Sequence, residues 1–194
     1  TVASPALACS ALTQVEVTGD SARQNVGGDT LDLAAFSAMP KLVASLGDGA
    51  DTVSESRNAD SIDLGPGEDY LLVRPGGTAN TKLDMGTGNF DAAAVSGTEL
   101  DDAIVATSSS VSATISVTTT GTTRSVVVTS AKRFLPGGNA GNDTFTTTGV
   151  TAASSMKSIS ANGGAGDDTF AVGVIDSTLD GGAGTNTFHL GTGA

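Results

Sequence analysis

Apolar residues in this chain come in short bursts that alternate with Thr or Ser, and glycine-rich turns separate the bursts. Gly47-Asp48-Gly49-Ala50-Asp51-Thr52-Val53 is echoed eighteen residues later by Gly65-Pro66-Gly67-Glu68-Asp69-Tyr70-Leu71. A degenerate copy, Ser56-Arg57-Asn58-Ala59-Asp60-Ser61-Ile62, lies midway. Asp51, Asp60 and Asp69 therefore fall at steps of nine, and Val53, Ile62 and Leu71 follow in phase. Thr-Val, Ser-Ile and Thr-Phe steps suit short strands with the apolar member inward and the hydroxyl outward. Glycine supplies the positive φ and close backbone approach that tight, stacked turns require.

The C-terminal part repeats the pattern more cleanly. Gly163-Gly164-Ala165-Gly166-Asp167-Asp168-Thr169-Phe170 recurs as Gly181-Gly182-Ala183-Gly184-Thr185-Asn186-Thr187-Phe188, and Gly141-Asn142-Asp143-Thr144-Phe145 has the same ending. Phe145, Phe170, Leu179 and Phe188 are expected to form one inward stack. A further unit opens at Leu190-Gly191-Thr192-Gly193. Diverged copies occur at Met85–Asp91, where Phe90 is an insertion, at Gly97–Ile104 with Asp102, and at Gly19–Val26. The pattern breaks over 111–129. There Val111–Val117 alternates and Arg124–Thr129 follows a Thr-Gly turn, which predicts a β-hairpin lying on the flank of the repeats or protruding from them. Residues 31–44 could hold one helical turn, but Pro40 interrupts it, so strand and loop are expected.

These units resemble the nonapeptide repeats of the RTX (repeats-in-toxin) family, G-G-x-G-x-D-x-U-x with U a large apolar residue. The unit at 163–171 matches every specified position, and the match is strong over 46–72 and 163–189. The resemblance implies an all-β fold, a right-handed parallel β-solenoid (β-roll or β-helix) with eighteen residues per coil, here carrying a β-hairpin insertion. It also implies calcium held between stacked turns by Asp carboxylates and backbone carbonyls, with folding coupled to the ion. On that basis Asp51, Asp69, Asp143 and Asp168 are the leading side-chain ligands, and Asp60, Asp102 and Asn186 follow. The turn glycines Gly47, Gly49, Gly65, Gly67, Gly164, Gly166, Gly182 and Gly184 complete the set. The alternative is that these aspartates merely make side-chain turns to their own backbone.

Composition narrows the function. Among 194 residues there are 26 Gly, no Trp and 4% aromatics, yet 38% hydrophobic content, which suits a thin repetitive core. A formal charge of −12 repels nucleic acid and anionic lipid and attracts hard cations. Cys9 is the single cysteine, so no internal disulfide forms. No apolar run is long enough to span a bilayer as a helix. His189 is the only histidine, so His-based zinc sites and Ser-His-Asp triads have little to build on. No phosphate-binding loop is present, and the Asp101-Asp102 pair sits within a repeat, which favours a structural role.

The expected organisation is an N-terminal strand and cap region (1–45), a first repeat block (46–105), the hairpin insertion (106–135) and a second repeat block (136–194). The expected function is non-enzymatic: a secreted, calcium-binding structural or adhesive protein of a bacterial cell surface. Self-association end to end is expected, with cell-surface polysaccharide as a further partner. The competing expectation is a calcium-dependent accessory repeat domain of a secreted polysaccharide-acting enzyme.

Overall fold

The computed structural model describes residues 14–19, 27–33, 41–54, 61–73, 81–150, 154–173 and 175–191, and no helix occurs among them. The first strands are β1 (Gln14–Thr18), β2 (Thr30–Asp32), β3 (Lys41–Ser45), β4 (Thr52–Ser54), β5 (Ser61–Asp63) and β6 (Tyr70–Val73). The central strands are β7 (Thr81–Asp84), β8 (Ala92–Ser96), β9 (Asp102–Ser108), β10 (Ser112–Thr119) and β11 (Thr122–Thr129). The last are β12 (Arg133–Ala140), β13 (Thr144–Thr148), β14 (Ser158–Ala165), β15 (Thr169–Val172), β16 (Asp176–Asp180) and β17 (Thr187–Leu190).

Outside the centre, successive strands alternate between two sheets. The wide, ten-stranded sheet has the order β1-β3-β5-β7-β11-β10-β9-β13-β15-β17, and the narrow, seven-stranded one has β16-β14-β12-β8-β6-β4-β2. Apart from the contacts of β10, every pairing is parallel. Connections from the wide to the narrow sheet therefore all emerge on one edge of the stack, called here the first flank. Connections from narrow to wide emerge on the opposite, second flank.

One core lies between the sheets, because alternation sends every second side chain inward. In the narrow sheet Val53, Leu71, Ala93, Phe134 and Ile159 stand side by side. In the wide sheet Ala44, Ile62, Leu83 and Val128 form one row, and Ile104, Phe145, Phe170 and Phe188 form another. Phe170 stacks on Phe145 at 4.7 Å between centroids and on Phe188 at 4.9 Å. Leu179 corrects the expected stack: it belongs to β16 in the narrow sheet and packs against the core from there. A nine-residue step is half a coil, so it carries an inward residue to the facing sheet and not to the same row. Phe188, on the outermost strand, remains 45% exposed.

The hairpin is present but neither flanks nor protrudes. Strands β10 and β11 are antiparallel and enter the wide sheet edge to edge between β7 and β9. Thr120 and Gly121 take positive φ (47° and 81°), as a two-residue turn with the twist of a hairpin requires. Within the region expected as strand and loop, Thr30–Asp32 and Lys41–Ser45 are strands of the two sheets, and 34–40 lie outside the described residues.

Candidate cation sites on two aspartate ladders

The glycine turns end in Asp, or in Asn at 186, and at Asp51, Asp69, Asp91, Asp143, Asp168 and Asn186 the side chain reaches back to the preceding coil. Asp51 Oδ1 accepts the Asp29 N–H at 2.7 Å, Asp69 Oδ1 the Asp51 N–H at 2.9 Å, and Asp91 Oδ1 the Asp69 N–H at 3.2 Å. In the second half, Asp143 Oδ1 accepts from Asp102 N–H at 2.8 Å, and Asp168 Oδ1 from Asp143 N–H at 2.8 Å. Asn186 Oδ1 closes the series on Asp168 N–H at 2.9 Å. Backbone bonds run beside them: Tyr70 N–H donates to Asp51 O, Ala92 N–H to Asp69 O, Thr169 N–H to Asp143 O and Thr187 N–H to Asp168 O, all at 2.8 Å. The carboxylate thus stands where the parallel ladder would otherwise leave a strand-opening N–H without an acceptor. These side chains bond to neighbouring coils, which is more than a turn to their own backbone.

The two ladders lie on opposite flanks. Asp29, Asp51, Asp69 and Asp91 precede narrow-sheet strands and occupy the first flank. Asp102 opens a wide-sheet strand, Asp143, Asp168 and Asn186 each precede one, and all four occupy the second. The changeover occurs across β8, immediately before the meander β9–β11. On the second flank an outer ladder accompanies the buried one: Asn142 N–H donates to Asp101 Oδ1, Asp167 N–H to Asn142 Oδ1 and Thr185 N–H to Asp167 Oδ1. The acidic pair Asp101-Asp102 is therefore the first rung of a double ladder: Asp102 gives its N–H to the inner series, and Asp101 gives its carboxylate to the outer one.

Burial makes the inner carboxylates costly. Asp51, Asp69, Asp91, Asp102, Asp143 and Asp168 are all at most 3% exposed. The second oxygens, Oδ2, of Asp69, Asp143 and Asp168 are buried without a hydrogen-bond partner. Burial pushes Asp69 up to about 6, against the lowering effect of the Asp51 N–H, and repulsion from Asp51, Asp91 and Asp63 adds to it. Asp143 is likewise raised to about 6, first by burial and then by Asp102, Asp168 and Asp101, with the Asp102 N–H opposing. At the changeover the oxygens are satisfied from within. Asp91 Oδ2 accepts the Gly88 N–H at 3.1 Å. Asp102 Oδ2 accepts from Thr98 N–H at 2.6 Å and Thr98 Oγ1 at 3.0 Å, and its Oδ1 accepts from Thr119 Oγ1.

Glycine shapes the pocket around the orphan oxygens of Asp143 and Asp168. A Cβ on Gly163 would strike Asp168 Oδ2 and come within 2.7 Å of Gly181 O, and one on Gly138 would strike Asp143 Oδ2 and Gly163 O. A carboxylate oxygen and a carbonyl oxygen of the next coil thus converge over a bare Cα. Gly47, Gly49, Gly65, Gly164, Gly166, Gly182 and Gly184 all have positive φ, between 72° and 147°. Gly67 is required for a different reason, since a Cβ there would run into Gly49 O. Oxygen-only donors of this kind suit a hard cation. Among the described residues no three His, Cys, Asp or Glu side chains converge, so a cation here would rest on one carboxylate per rung plus backbone carbonyls.

Of the expected site residues, Asp51 and Asp69 share one ladder, and Asp102, Asp143, Asp168 and Asn186 share the other. Asp60 lies outside the described residues. Sequence reasoning missed Asp29 and Asp91. The Asp-Thr-apolar triplet of 29–31, repeated at 51–53, 143–145 and 168–170, would have found the first. The second already stood at the end of the diverged copy Met85–Asp91, with Phe90 as the insertion, but was not put forward as a site residue. No helix among the described residues is long and apolar enough to cross a membrane. No family model, curated protein or solved structure matches this chain.

Proposed function

We propose that this chain is a right-handed parallel β-solenoid of RTX type that serves as a secreted, calcium-binding structural or adhesive protein. Alternating strands in two parallel sheets support the solenoid reading, and right-handed crossover is the rule for parallel connections. The observation that carries the calcium reading is the set of buried, partnerless Oδ2 atoms on Asp69, Asp143 and Asp168, each set in a glycine turn. Asp51, Asp69, Asp143 and Asp168 would hold the ion, with turn carbonyls as co-ligands, and Asp102 drops out because its oxygens are already bonded. Bound calcium supplies the positive charge that these enclosed carboxylates lack. One carboxylate per rung gives modest affinity, of the kind suited to the calcium concentrations outside cells, about 10⁻⁴–10⁻³ M.

End-to-end association belongs to the same proposal. At the β16–β17 end a cleft of about 370 Å³ is lined by Ser177, Leu179, Phe188 and Leu190, and Leu190 is 67% exposed. An open edge with apolar side chains is an association surface. The test is a calcium titration of the full chain followed by circular dichroism, thermal melting and sedimentation. Calcium should raise Tm, restore β signal lost in chelator and increase mass with protein concentration. A Tm identical in chelator and in millimolar calcium would overturn the calcium reading. A strictly monomeric calcium form would overturn the assembly reading.

A further inference from the structure

The first flank changes character where its aspartate ladder stops. Beyond Asp91 the next three connections there join β9 to β10, β11 to β12 and β13 to β14. Described residues of these connections, Ser110, Val111, Ser130, Lys132, Ser154, Ser155 and Lys157, line an open cleft of about 320 Å³. Backbone hydrogen bonds tie the three connections together. Ser130 N–H donates to Val111 O at 3.2 Å, Ser155 N–H to Ser109 O at 3.1 Å and Lys157 N–H to Lys132 O at 2.7 Å. Two of the chain's nine cationic side chains thus meet at one place on a protein of charge −12. Lys132 is half-buried and its ammonium is held by Ser130 O at 2.6 Å, so its position is fixed.

Ser155 supplies the independent sign. It is 8% exposed, and its hydroxyl is buried with no hydrogen-bond partner. A buried hydroxyl left unmatched costs free energy, and such groups in folded proteins point to a missing partner. Ser155 lines the same cleft as Lys132 and Lys157. We infer that this cleft is a binding site for a compact oxyanion, a carboxylate or sulfate group of the kind that acidic polysaccharides carry. Ammonium and hydroxyl groups are donors matched to such oxygens, and charge-assisted bonds to them are the stronger kind. Asp84, whose Oδ1 stands 3.5 Å from Ser130 Oγ, marks the acidic rim on one side. The inference stands on residues separate from the ladders and is independent of the calcium reading.

The test is a titration of the isotopically labelled full chain, at constant ionic strength, with sodium glucuronate, sodium sulfate and glucose. Both anions should give saturable shifts confined to amides of 109–111, 130–132 and 154–158, and glucose should give none. Lys132→Gln should weaken glucuronate binding at least fivefold and Ser155→Ala at least twofold, while Lys82→Gln on the wide sheet should leave it unchanged. Sulfate binding without glucuronate binding would refute the saccharide source. The Ser155→Ala variant should melt no lower than the parent, because the hydroxyl it removes has no partner. If that variant fails to fold, the Lys132→Gln arm decides. No saturable response to either anion, an equal response to glucose, or equal weakening by Lys82→Gln would overturn the proposal.

Discussion

Replacing Asp143 by Asn separates the charge of a ladder rung from its geometry. The chain already contains the neutral version, since Asn186 Oδ1 accepts the Asp168 N–H at 2.9 Å as the carboxylates do elsewhere. Asp143→Asn should therefore keep the bond to Asp102 N–H and remove a buried charge that faces Asp102 and Asp168. Asp143 rises from 3.8 to about 6 in the folded chain. At about 1.4 kcal/mol per unit, the ceiling on the penalty is about 3 kcal/mol. Screening at a turn close to solvent reduces this to about 1–2 kcal/mol, and for a domain of this size that moves Tm by about 2–8 °C.

The sign follows from linkage. The folded state holds this proton more tightly than the unfolded state. The ionised carboxylate's penalty is therefore fully present above about pH 6 and fades as pH falls through 6 toward 3.8. In chelator at pH 7.5 the Asn variant should melt higher than the parent, and at pH 4.5 the gap should shrink. In calcium at pH 7.5 the order should reverse, because the parent keeps a ligand that the variant has lost. An Asn variant less stable than the parent in chelator at pH 7.5 would refute the claim that the rung's charge is costly. Failure of the order to reverse in calcium would count against the ion alone.

Phe170→Ala removes a fully buried ring clamped between two others. It should cost about 3–5 kcal/mol in urea unfolding, whereas Phe188→Ala, half in solvent, should cost about 1–2 kcal/mol; equal losses would show that the row is misread. Gly163→Ala should cost about 2–3 kcal/mol by driving a methyl into Asp168 Oδ2 and Gly181 O. Gly121→Ala, with open space around its Cβ and only an unfavourable φ, should cost about 1 kcal/mol; thermal melts of the two variants side by side would expose a cradle that is looser than described.

Much of the ladder was legible because its elements are local. A glycine turn, an Asp and an apolar residue two positions on are readable at 51–53, 69–71, 143–145 and 168–170, and in each case the Asp and the apolar residue are buried. What spacing could not reveal is on which flank each turn lies. A strict step of nine treats both flanks alike, whereas coil separations in the structure are 18, 22 and 25 residues as well as 41 across the meander. Variable half-coils absorb the difference, and Phe90 is one such addition, extruded to 57% exposure while Asp91 keeps its rung. The alternation at 111–129 marked a hairpin correctly. Its insertion within the wide sheet depends on pairing with Thr81–Asp84 and Asp102–Ser108, which are distant in sequence.

The double ladder on the second flank answers a problem of alignment. Strands built from Thr, Ala and Ser give neighbours little to tell one register from another, and a slip of two residues keeps every inward side chain inward. The tandem polar pairs 101–102, 142–143, 167–168 and 185–186 remove that freedom. The inner series carries its bonds from each coil's N–H forward to the next coil's side chain, and the outer series carries them back. A slip would break both series at once and bring a buried carboxylate against a neighbour without a donor. Each pair is thus an index mark, read from both sides, that lets a sequence of low complexity stack in one way only.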